Sequence, residues 1–338
     1  MAKHKPNIYD VAEAAGVSHQ TVSRVINNHP SLRPETRRRV EQAMAELGYV
    51  PNRAARALVT DKSKLIGILA SDTTLYGPAG MLHAIEIEAR KSGYVTFTCS
   101  VDSQSESEVR DGVTHLRNMS VEGVILITAE TMPTDLARDG LPNVPIVAMD
   151  SAYRADRLTV RIDNHAAAEM ATRHLIDLGH RKILHISGET DWSVGRERRE
   201  GFIATMKSAG LEPQVIEGNW QIETGYRLAK GYDFARAGIT AVFCANDHLA
   251  LGLLKACRER GIEVPRDLSV VGFDDIPEAA YFAPPLTSVR QDFAAMGNQA
   301  IRVLLAELGQ TEPVANKELE LELIVRGSTA APLKVMNS

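Results

Sequence analysis

Residues 8–27 read IYDVAEAAGVSHQTVSRVIN, a stretch that predicts two short helices joined by a tight turn. Its first half places apolar residues at helical spacing: Ile8, Val11, Ala12 and Ala15. Gly16 ends that pattern, as glycine does where a chain must turn sharply. A second apolar stripe follows at Val22, Val25 and Ile26. Because Ser18 stands in the N-cap position of the second helix, the stretch has the pattern of a helix-turn-helix motif.

The second helix carries hydrogen-bonding side chains on the face that it is predicted to expose: His19, Gln20, Thr21, Ser23 and Arg24. Such a face can read base edges in the major groove of DNA. A small helical bundle with a solvated polar face has the same pattern, so spacing alone leaves both interpretations open. A third helix is predicted from Pro34 to Gly48, and its inward side chains are expected to be Val40, Ala43, Met44 and Leu47.

The net charge of the 338-residue chain, −5, is divided unevenly. Residues 1–62 hold ten Lys or Arg and six Asp or Glu, a balance of +4, while the other 276 residues hold 28 and 37, a balance of −9. A basic segment of this kind favours a nucleic-acid partner whose phosphates make binding salt-dependent. The acidic remainder is not expected to share that partner.

The composition excludes several classes of protein. With 44% hydrophobic and 24% charged residues, the chain is neither disordered nor fibrous. No apolar run approaches the roughly 18 residues that span a bilayer, and no apolar segment follows the N-terminus as in a secretion signal. Cys99, Cys244 and Cys257 have no ligand spacing, which is typical of reduced thiols. We therefore expect a soluble cytoplasmic protein without a membrane partner.

From Leu65 onward, short β-rich runs alternate with amphipathic helical segments. The main predicted strands cover 65–70, 94–99, 124–128 and 146–149 in a first series, and 182–186, 241–244 and 268–273 in a second. This alternation is typical of parallel α/β units. Two series predict two doubly wound subdomains with a cleft between them, where ligands bind beyond the carboxyl ends of the strands.

Enzyme motifs are absent from the sequence: it has no Gly-x-Ser-x-Gly, no phosphate loop and no His-Glu-x-x-His. His174, His180 and His185 are six and five residues apart, a spacing that suits no metal site. We place them instead at a helix end, in a turn and on a strand surface. The sequence therefore predicts neither a catalytic residue nor a cofactor nor a metal.

Residues 8–27 and the segment 44–53, MAELGYVPNR, resemble the N-terminus of the lactose/galactose repressor family of bacterial transcription regulators nearly residue by residue, most of all its lactose repressor branch. The acidic remainder resembles the periplasmic-binding-protein-like core of that family, notably at 245–252, 270–277 and 284–293. The resemblance implies an all-α helix-turn-helix head and an α/β core of two doubly wound parallel-sheet subdomains. The implied domains are 1–49 (head), 50–61 (hinge helix), 62–163 with 292–321 (N-terminal core) and 164–291 with 322–330 (C-terminal core).

The resemblance also implies the residues that contact DNA. His19, Gln20 and Arg24 match base-reading positions, whereas the others in the head fit supporting or phosphate contacts. The candidates are Tyr9, Ser18, His19, Gln20, Thr21, Ser23, Arg24, Asn27, Asn52, Arg53, Ala55 and Leu58. The run Arg37-Arg38-Arg39 is either a phosphate contact or a solvated helix face, and we favour the solvated face for at least one of the three.

The Ala-rich stretch 50–58 is too short to form a stable helix by itself in water. In the family it is a hinge that becomes helical on operator DNA and pairs with its dimer mate in the minor groove. Leu58 falls on the position of the wedge between base steps, and Ala55 faces the groove beside it. A plain interdomain linker is the alternative, but it would not require a leucine at 58.

Four residues of the core have the chemistry that a neutral sugar needs. Trp220 offers a ring on which a pyranose can stack, while Arg198, Asn246 and Asp274 offer donors and acceptors to its hydroxyls. Taken singly, Trp220 is more often a packing residue and Asp274 could simply cap a helix. The resemblance gives this set of effector contacts: Ser71, Tyr76, Thr128, Asp150, Arg198, Trp220, Asn246, Asp274, Gln291 and Phe293.

We therefore expect a repressor of sugar-utilisation genes that binds a pseudo-palindromic operator. A small sugar, with a galactoside as the first candidate, is expected to release it from that operator. Tyr76 and Thr128 differ from the residues of the lactose repressor branch, which argues against the same disaccharide. A regulator with a non-sugar effector or a corepressor is the alternative, and a sugar-transport component is disfavoured by the head. Because the tail after Gly327 has no leucine heptads, we expect a homodimer formed through the core.

Overall fold

The structure, a computed structural model, describes residues 6–27, 29, 31–50, 62–128, 132–149, 158–313 and 319–333. The chain forms two compact units, Met1–Ser63 and Lys64–Ser338. In the first, three helices surround a small core built on Val11, Val22, Val25 and Val40. These helices are α1 (Ile8–Ala15), α2 (His19–Ile26) and α3 (Pro34–Leu47).

Local signals set the ends of these helices. Gly16 ends α1 with φ of 62°, a left-handed conformation that glycine adopts without a steric penalty. The hydroxyl of Ser18 then accepts a hydrogen bond from the Thr21 N–H over 3.2 Å and so caps α2. The expectation that Leu47 points inward is wrong, because its side chain is 37% exposed. Gly48 turns the chain so that Tyr49, not Leu47, packs against the core.

The second unit contains two sheets, each between helices. The strands of the first are all parallel, in the order β2-β1-β3-β4-β5. Their bounds are β1 (Leu65–Ala70), β2 (Val95–Ser100), β3 (Gly123–Ile127), β4 (Ile146–Met149) and β5 (Thr159–Val160). The helices that precede β5 are α4 (Tyr76–Lys91), α5 (Glu106–Asn118) and α6 (Met132–Gly140). Because helices cover both faces, β1 is a nearly continuous buried apolar run.

The second sheet has the order β7-β6-β8-β9-β10-β11 and is parallel except for the β10–β11 pair. Its strands are β6 (Ile183–Ser187), β7 (Gln214–Glu217), β8 (Ala241–Cys244), β9 (Ser269–Asp274), β10 (Thr287–Arg290) and β11 (Glu322–Ile324). Helices α7 (Asn164–Asp177) and α8 (Ser193–Ser208) pack on one face. Helices α9 (Ile222–Gly231), α10 (Phe234–Ala237) and α11 (Asp247–Glu259) pack on the other.

The chain passes between the two sheets three times. It leaves the first sheet after β5, returns after β10 so that α12 (Phe293–Glu307) packs against α4, and crosses again to form β11. The predicted fold class, a helix-turn-helix head with an α/β core of two parallel-sheet subdomains, is confirmed. In the described part of the chain, no helix combines the length and hydropathy that crossing a bilayer requires.

Candidate functional site

Helix α2 presents the polar face that the sequence predicts for reading DNA. His19, Gln20 and Arg24 are exposed, whereas Thr21 and Ser23 are half-buried. The hydroxyls of Ser18 and Thr21 lie 3.0 Å apart, so part of their hydrogen-bonding capacity serves the helix cap. Three side chains at helical spacing therefore remain fully available at the surface of this helix.

Two supporting candidates lie beside this face. Tyr9 is 64% exposed, and its ring centroid lies 5.2 Å from that of His19. Asn27 ends α2, and its Nδ2 donates to Ser23 Oγ over 3.4 Å. The candidates of the hinge helix, Asn52, Arg53, Ala55 and Leu58, lie outside the described residues.

A cleft whose empty space, including the part open to solvent, amounts to about 600 Å³ lies between the two sheets of the second unit, and we refer to it as the cavity. Eight of the ten predicted effector contacts line it: Ser71, Tyr76, Thr128, Arg198, Trp220, Asn246, Asp274 and Gln291. Most of them stand at or just after the carboxyl end of a strand, where parallel sheets place their ligands.

Of the other two predicted contacts, Phe293 is not among the described residues that line the cavity. Phe293 packs behind it, with its ring centroid 5.7 Å from that of Tyr76, and so supports that side chain. Asp150 lies outside the described residues.

A carboxylate, a guanidinium and an amide meet at one wall of the cavity. Gln291 Nε2 donates to Asp274 Oδ1 over 2.6 Å, and Arg198 Nη1 lies 3.9 Å from the same oxygen. Asp274 has φ of 111°, a strained conformation for a residue other than glycine that is concentrated at functional sites. The interpretation of Asp274 as a helix cap is therefore wrong, because it ends β9 with its carboxylate in this cluster.

Arg198 is held in place on several sides. Its Nε donates to Asn164 Oδ1 over 2.9 Å and its Nη1 to the carbonyl oxygen of Ala245 over 2.6 Å. Its guanidinium carbon also lies 3.6 Å from the centroid of the Phe273 ring. A buried cation needs such partners, since desolvation otherwise outweighs its attraction to Asp274.

Asn246 has a more structural position than the sequence suggested. Its Oδ1 accepts the Leu249 N–H over 2.8 Å and so caps α11, and its Nδ2 donates to the Trp220 carbonyl oxygen over 3.1 Å. The amide therefore fixes the backbone that carries Trp220 and has one further N–H to offer a ligand.

Trp220 is 7% exposed and lies deep in the wall. A Cβ at Gly188 would come within 2.2 Å of the Trp220 indole, so glycine there is required for the ring to lie where it does. The Nε1 of Trp220 and the Oε1 of Gln291 are buried and have no hydrogen-bond partner. A donor and an acceptor on the same wall are thus left to a polar ligand.

Several lining residues were missed by sequence reasoning, and Trp192 is the most prominent. Trp192 and Trp220 are the only two tryptophans in the chain, and Trp192 stands immediately before α8, the helix that carries Arg198. The rarity of tryptophan in this chain and the position of Trp192 six residues before Arg198 are the sequence features that could have identified it. The other missed lining residues are Leu75, Gly77, Pro78, Met81, Ile127, Met149 and Val194.

Acidic groups act on residues in and near the cavity. Burial raises the pKa of Tyr76, and the charge of Asp274 adds to that effect. Burial also raises the pKa of Glu189, and the charges of Asp72 and Asp191 contribute. Because Asp72 follows β1 and Glu189 follows β6, the two sheets each contribute a carboxylate near the cavity.

Among the described residues, no group of three or more His, Cys, Asp or Glu side chains is arranged to hold a metal ion. The placement of His185 on a strand surface is wrong. Its side chain is fully buried between the rings of Phe202 and Phe243, and its Nδ1 donates to the Phe243 carbonyl oxygen over 3.0 Å. Desolvation lowers the pKa of His185 to about 3.

Comparison with known proteins gives the following likenesses. Residues 7–52 match the profile of bacterial regulatory proteins of the lacI family, and residues 172–329 match that of a periplasmic binding protein-like domain. The chain is 35% identical to the HTH-type transcriptional repressor PurR of Glaesserella parasuis, over 95% of this chain and 97% of that protein. It is 33% identical to the lactose operon repressor of Escherichia coli K12, over 96% of this chain and 91% of that protein.

Solved structures give the same likeness. A lac repressor dimer bound to operator and the anti-inducer ONPF superposes with a TM-score of 0.87 at 32% identity, over 97% of this chain and all of that one. A complex of the transcriptional regulator CelR with cellobiose has a TM-score of 0.70 at 31% identity, over 96% of this chain and 99% of that one.

Proposed function

This chain is a DNA-binding repressor of the lacI family of bacterial regulatory proteins, not an enzyme, and from that premise we propose that it represses sugar-utilisation genes and leaves its operator when a neutral sugar binds. The observation that carries the proposal is the wall formed by Asp274, Arg198 and Gln291 beside the indole of Trp220. A carboxylate flanked by planar donors binds adjacent hydroxyls, and an indole packs against the apolar face of a sugar ring.

A purine effector is the second candidate, because relatives named PurR match nearly the whole chain. The aromatic residues of the cavity favour a sugar. Trp192 and Trp220 have ring centroids 5.9 Å apart and are tilted by 54°, whereas a flat base is held best between two parallel rings. We therefore keep the sugar as the proposed effector and a galactoside as its first candidate.

We further propose that the protein acts as a homodimer on a pseudo-palindromic operator in the bacterial cytoplasm. His19, Gln20 and Arg24 would read bases in each half-site, and the hinge segment 50–61 would become helical on the DNA. Residues 62–163 with 292–321 and residues 164–291 with 322–330 would move as two bodies around the cavity. Effector binding selects one placement of these bodies, and typical coupling of about 1–3 kcal/mol changes operator affinity roughly 5- to 150-fold.

The test begins with an operator selected from a randomised pseudo-palindromic DNA library with the full-length protein. Operator release is then followed by fluorescence anisotropy during titration with methyl glycosides, free hexoses and disaccharides, and with adenine, guanine and hypoxanthine. Release by a sugar with no effect of the bases is the expected result. Tighter binding in the presence of a base would instead establish a corepressor.

Trp220→Ala tests the stacking contact within this experiment, and Trp220→Phe is its matched control. Because Trp220 is buried, the alanine variant loses roughly 3–5 kcal/mol of stability, so its folding must be verified by circular dichroism. We expect sugar-induced release to be lost with Ala and largely kept with Phe. A full response from the folded alanine variant would refute the stacking contact.

A further inference from the structure

The proposed contacts of a single sugar ring involve Trp220 but not Trp192, the other tryptophan that lines the cavity. Trp192 is half-buried, and it lines the cavity together with Val194 and, from the other sheet, Leu75 and Tyr76. The same four residues pack at the margin of the hydrophobic cluster that contains Trp220. The cavity thus has an apolar region next to the polar wall at Asp274.

The loop that carries Trp192 is held by several hydrogen bonds. Arg196 Nη1 donates to the carbonyl oxygens of Thr190 and Asp191 over 2.9 and 2.8 Å, and the Arg196 N–H donates to the Trp192 carbonyl oxygen over 3.0 Å. Thr190 Oγ1 donates to Glu217 Oε1 over 2.7 Å. Trp192 is therefore a pre-positioned side chain, which is what a binding surface requires.

The close approach of this loop to α8 depends on glycine. A Cβ at Gly195 would come within 2.2 Å of the Glu189 carbonyl oxygen and 3.4 Å of Trp220 Cζ2. Glycine at this position lets the turn 189–192 lie against the first turn of the helix.

The angle between the indoles identifies the shape of the ligand. Their planes are tilted by 54° with centroids 5.9 Å apart, so the faces of the two indoles are not parallel. A single flat ring stacks on one of the two faces, and the other face then receives a group bonded to that ring at an angle. The two rings of a glycoside have this arrangement, because a bridging oxygen joins them.

We infer that Trp192 is a specificity-determining residue that selects glycosides with a second ring over simple sugars. The first ring binds at Trp220 and Asp274, and the second ring, whether sugar or aromatic, packs on Trp192. This inference rests on the proposed function and adds the class of effector to it.

The experiment uses the full-length protein with two matched pairs of ligands: methyl and phenyl β-D-galactopyranoside, and methyl and phenyl β-D-glucopyranoside. Isothermal titration calorimetry gives Kd for wild type, Trp192→Ala and the control Trp192→Phe. We expect the wild type to bind the phenyl glycoside of the preferred sugar roughly 3- to 10-fold more tightly than its methyl counterpart. Trp192→Ala should lose most of that preference with little change in Kd for the methyl glycoside, and Trp192→Phe should keep it.

Different results would overturn the inference on Trp192 and the proposed sugar effector. Equal losses for both members of a pair in folded Trp192→Ala, or a wild type that does not distinguish them, would overturn the inference and leave the sugar effector standing. If no sugar of the operator-release panel and neither pair binds the wild type, the proposed function itself fails and the inference fails with it.

Discussion

The side-chain amide of Gln291 donates a 2.6 Å hydrogen bond to Oδ1 of Asp274 and so joins the segment after β10 to the end of β9. Gln291 stands at one of the points where the chain crosses from the second sheet to the first. The carboxylate proposed to bind the effector is thus oriented by a residue of a crossover segment.

Replacing Gln291 by Leu removes this orienting bond. Since a hydrogen bond to a charged group contributes about 1.5–3 kcal/mol, we expect effector Kd to increase roughly 10-fold or more. Isothermal titration calorimetry with the effector found in the operator-release panel measures the change. Gln104→Leu is the matched control, because Gln104 is exposed and is not among the residues that line the cavity. Wild-type affinity in Gln291→Leu would show that Asp274 needs no such support.

Acid should destabilise the core through His185. Its pKa is about 3 in the folded chain and 6.5 as the ordinary value, so folding favours the neutral ring. The stabilisation is complete above pH 6.5 and is lost as the pH falls from 6.5 toward 3, because the unfolded chain then binds the proton more tightly. Between pH 7 and pH 5 the loss from this residue is on the order of 2 kcal/mol.

Urea unfolding of wild type and His185→Phe at pH 7 and pH 5 tests this expectation. The phenylalanine ring fills the space between Phe202 and Phe243 but cannot titrate, so the free energy of unfolding should fall less on acidification. Burial also lowers the pKa of His174, His180 and His248, and the comparison of the two proteins subtracts their effect. An equal decrease in both proteins would mean that His185 contributes nothing.

The carboxylates of Asp72 and Glu189 should exclude anionic ligands. The charge of Asp72 contributes to the raised pKa of Glu189, so an approaching phosphate would meet the same field. We expect Asp72→Asn with Glu189→Gln to improve the affinity for the 6-phosphate of the effector sugar a few-fold, most clearly at low salt. The neutral sugar should bind as before.

Glu212→Gln, which removes one negative charge, is the remote control for each of the two substitutions, since Glu212 is exposed at the opposite end of the second sheet, before β7. Calorimetric titrations at two salt concentrations provide the measurement. If the double variant gains no more phosphosugar affinity than Glu212→Gln, the two carboxylates play no part in selection.

In the head, Gln20→Ala should relax specificity at one base position of the operator. A bidentate contact to a base contributes about 1–3 kcal/mol of discrimination, so the preference for the selected base should fall correspondingly. Arg38→Ala is the informative comparison, because Arg38 is exposed on α3. A phosphate contact there would weaken binding to all sequences and reduce the salt dependence, whereas a solvated face would change neither.

The parts of the fold that depend on local signals could be predicted from the sequence. Gly16 and Ser18 define the turn and the cap of the head within three residues of each other, and β1 has the bounds 65–70 that its pattern predicts. The segment between β7 and β8 forms two helices, because Asp233 caps a new one through the Arg236 N–H.

Elements without a one-sided pattern escaped prediction. Helix α12 is buried on more than one side, because the consecutive residues Gln299, Ala300 and Ile301 are all buried, so its buried face is wider than a single apolar stripe. Strand β7 is half-exposed at a sheet edge, and β11 pairs only with β10. Their identity depends on contacts with distant parts of the chain, which a single sequence does not reveal.

The residues of the cavity could be predicted only through family resemblance. Arg198, Asp274 and Gln291 are far apart in sequence, and parallel strands bring them together at their carboxyl ends. The family resemblance gives no effector contact at position 192. Its contribution became visible only when the fold placed it beside Trp220.

Both tryptophans of the chain line the same cavity. The entire indole fluorescence of the protein therefore originates at the site where the effector is proposed to bind. When the indoles are excited selectively over the eight tyrosines, unlabelled protein would report occupancy as a change in the intensity or wavelength of its own emission. The two indoles therefore form an intrinsic fluorescent probe, with which the kinetics of effector binding could be followed by stopped-flow mixing.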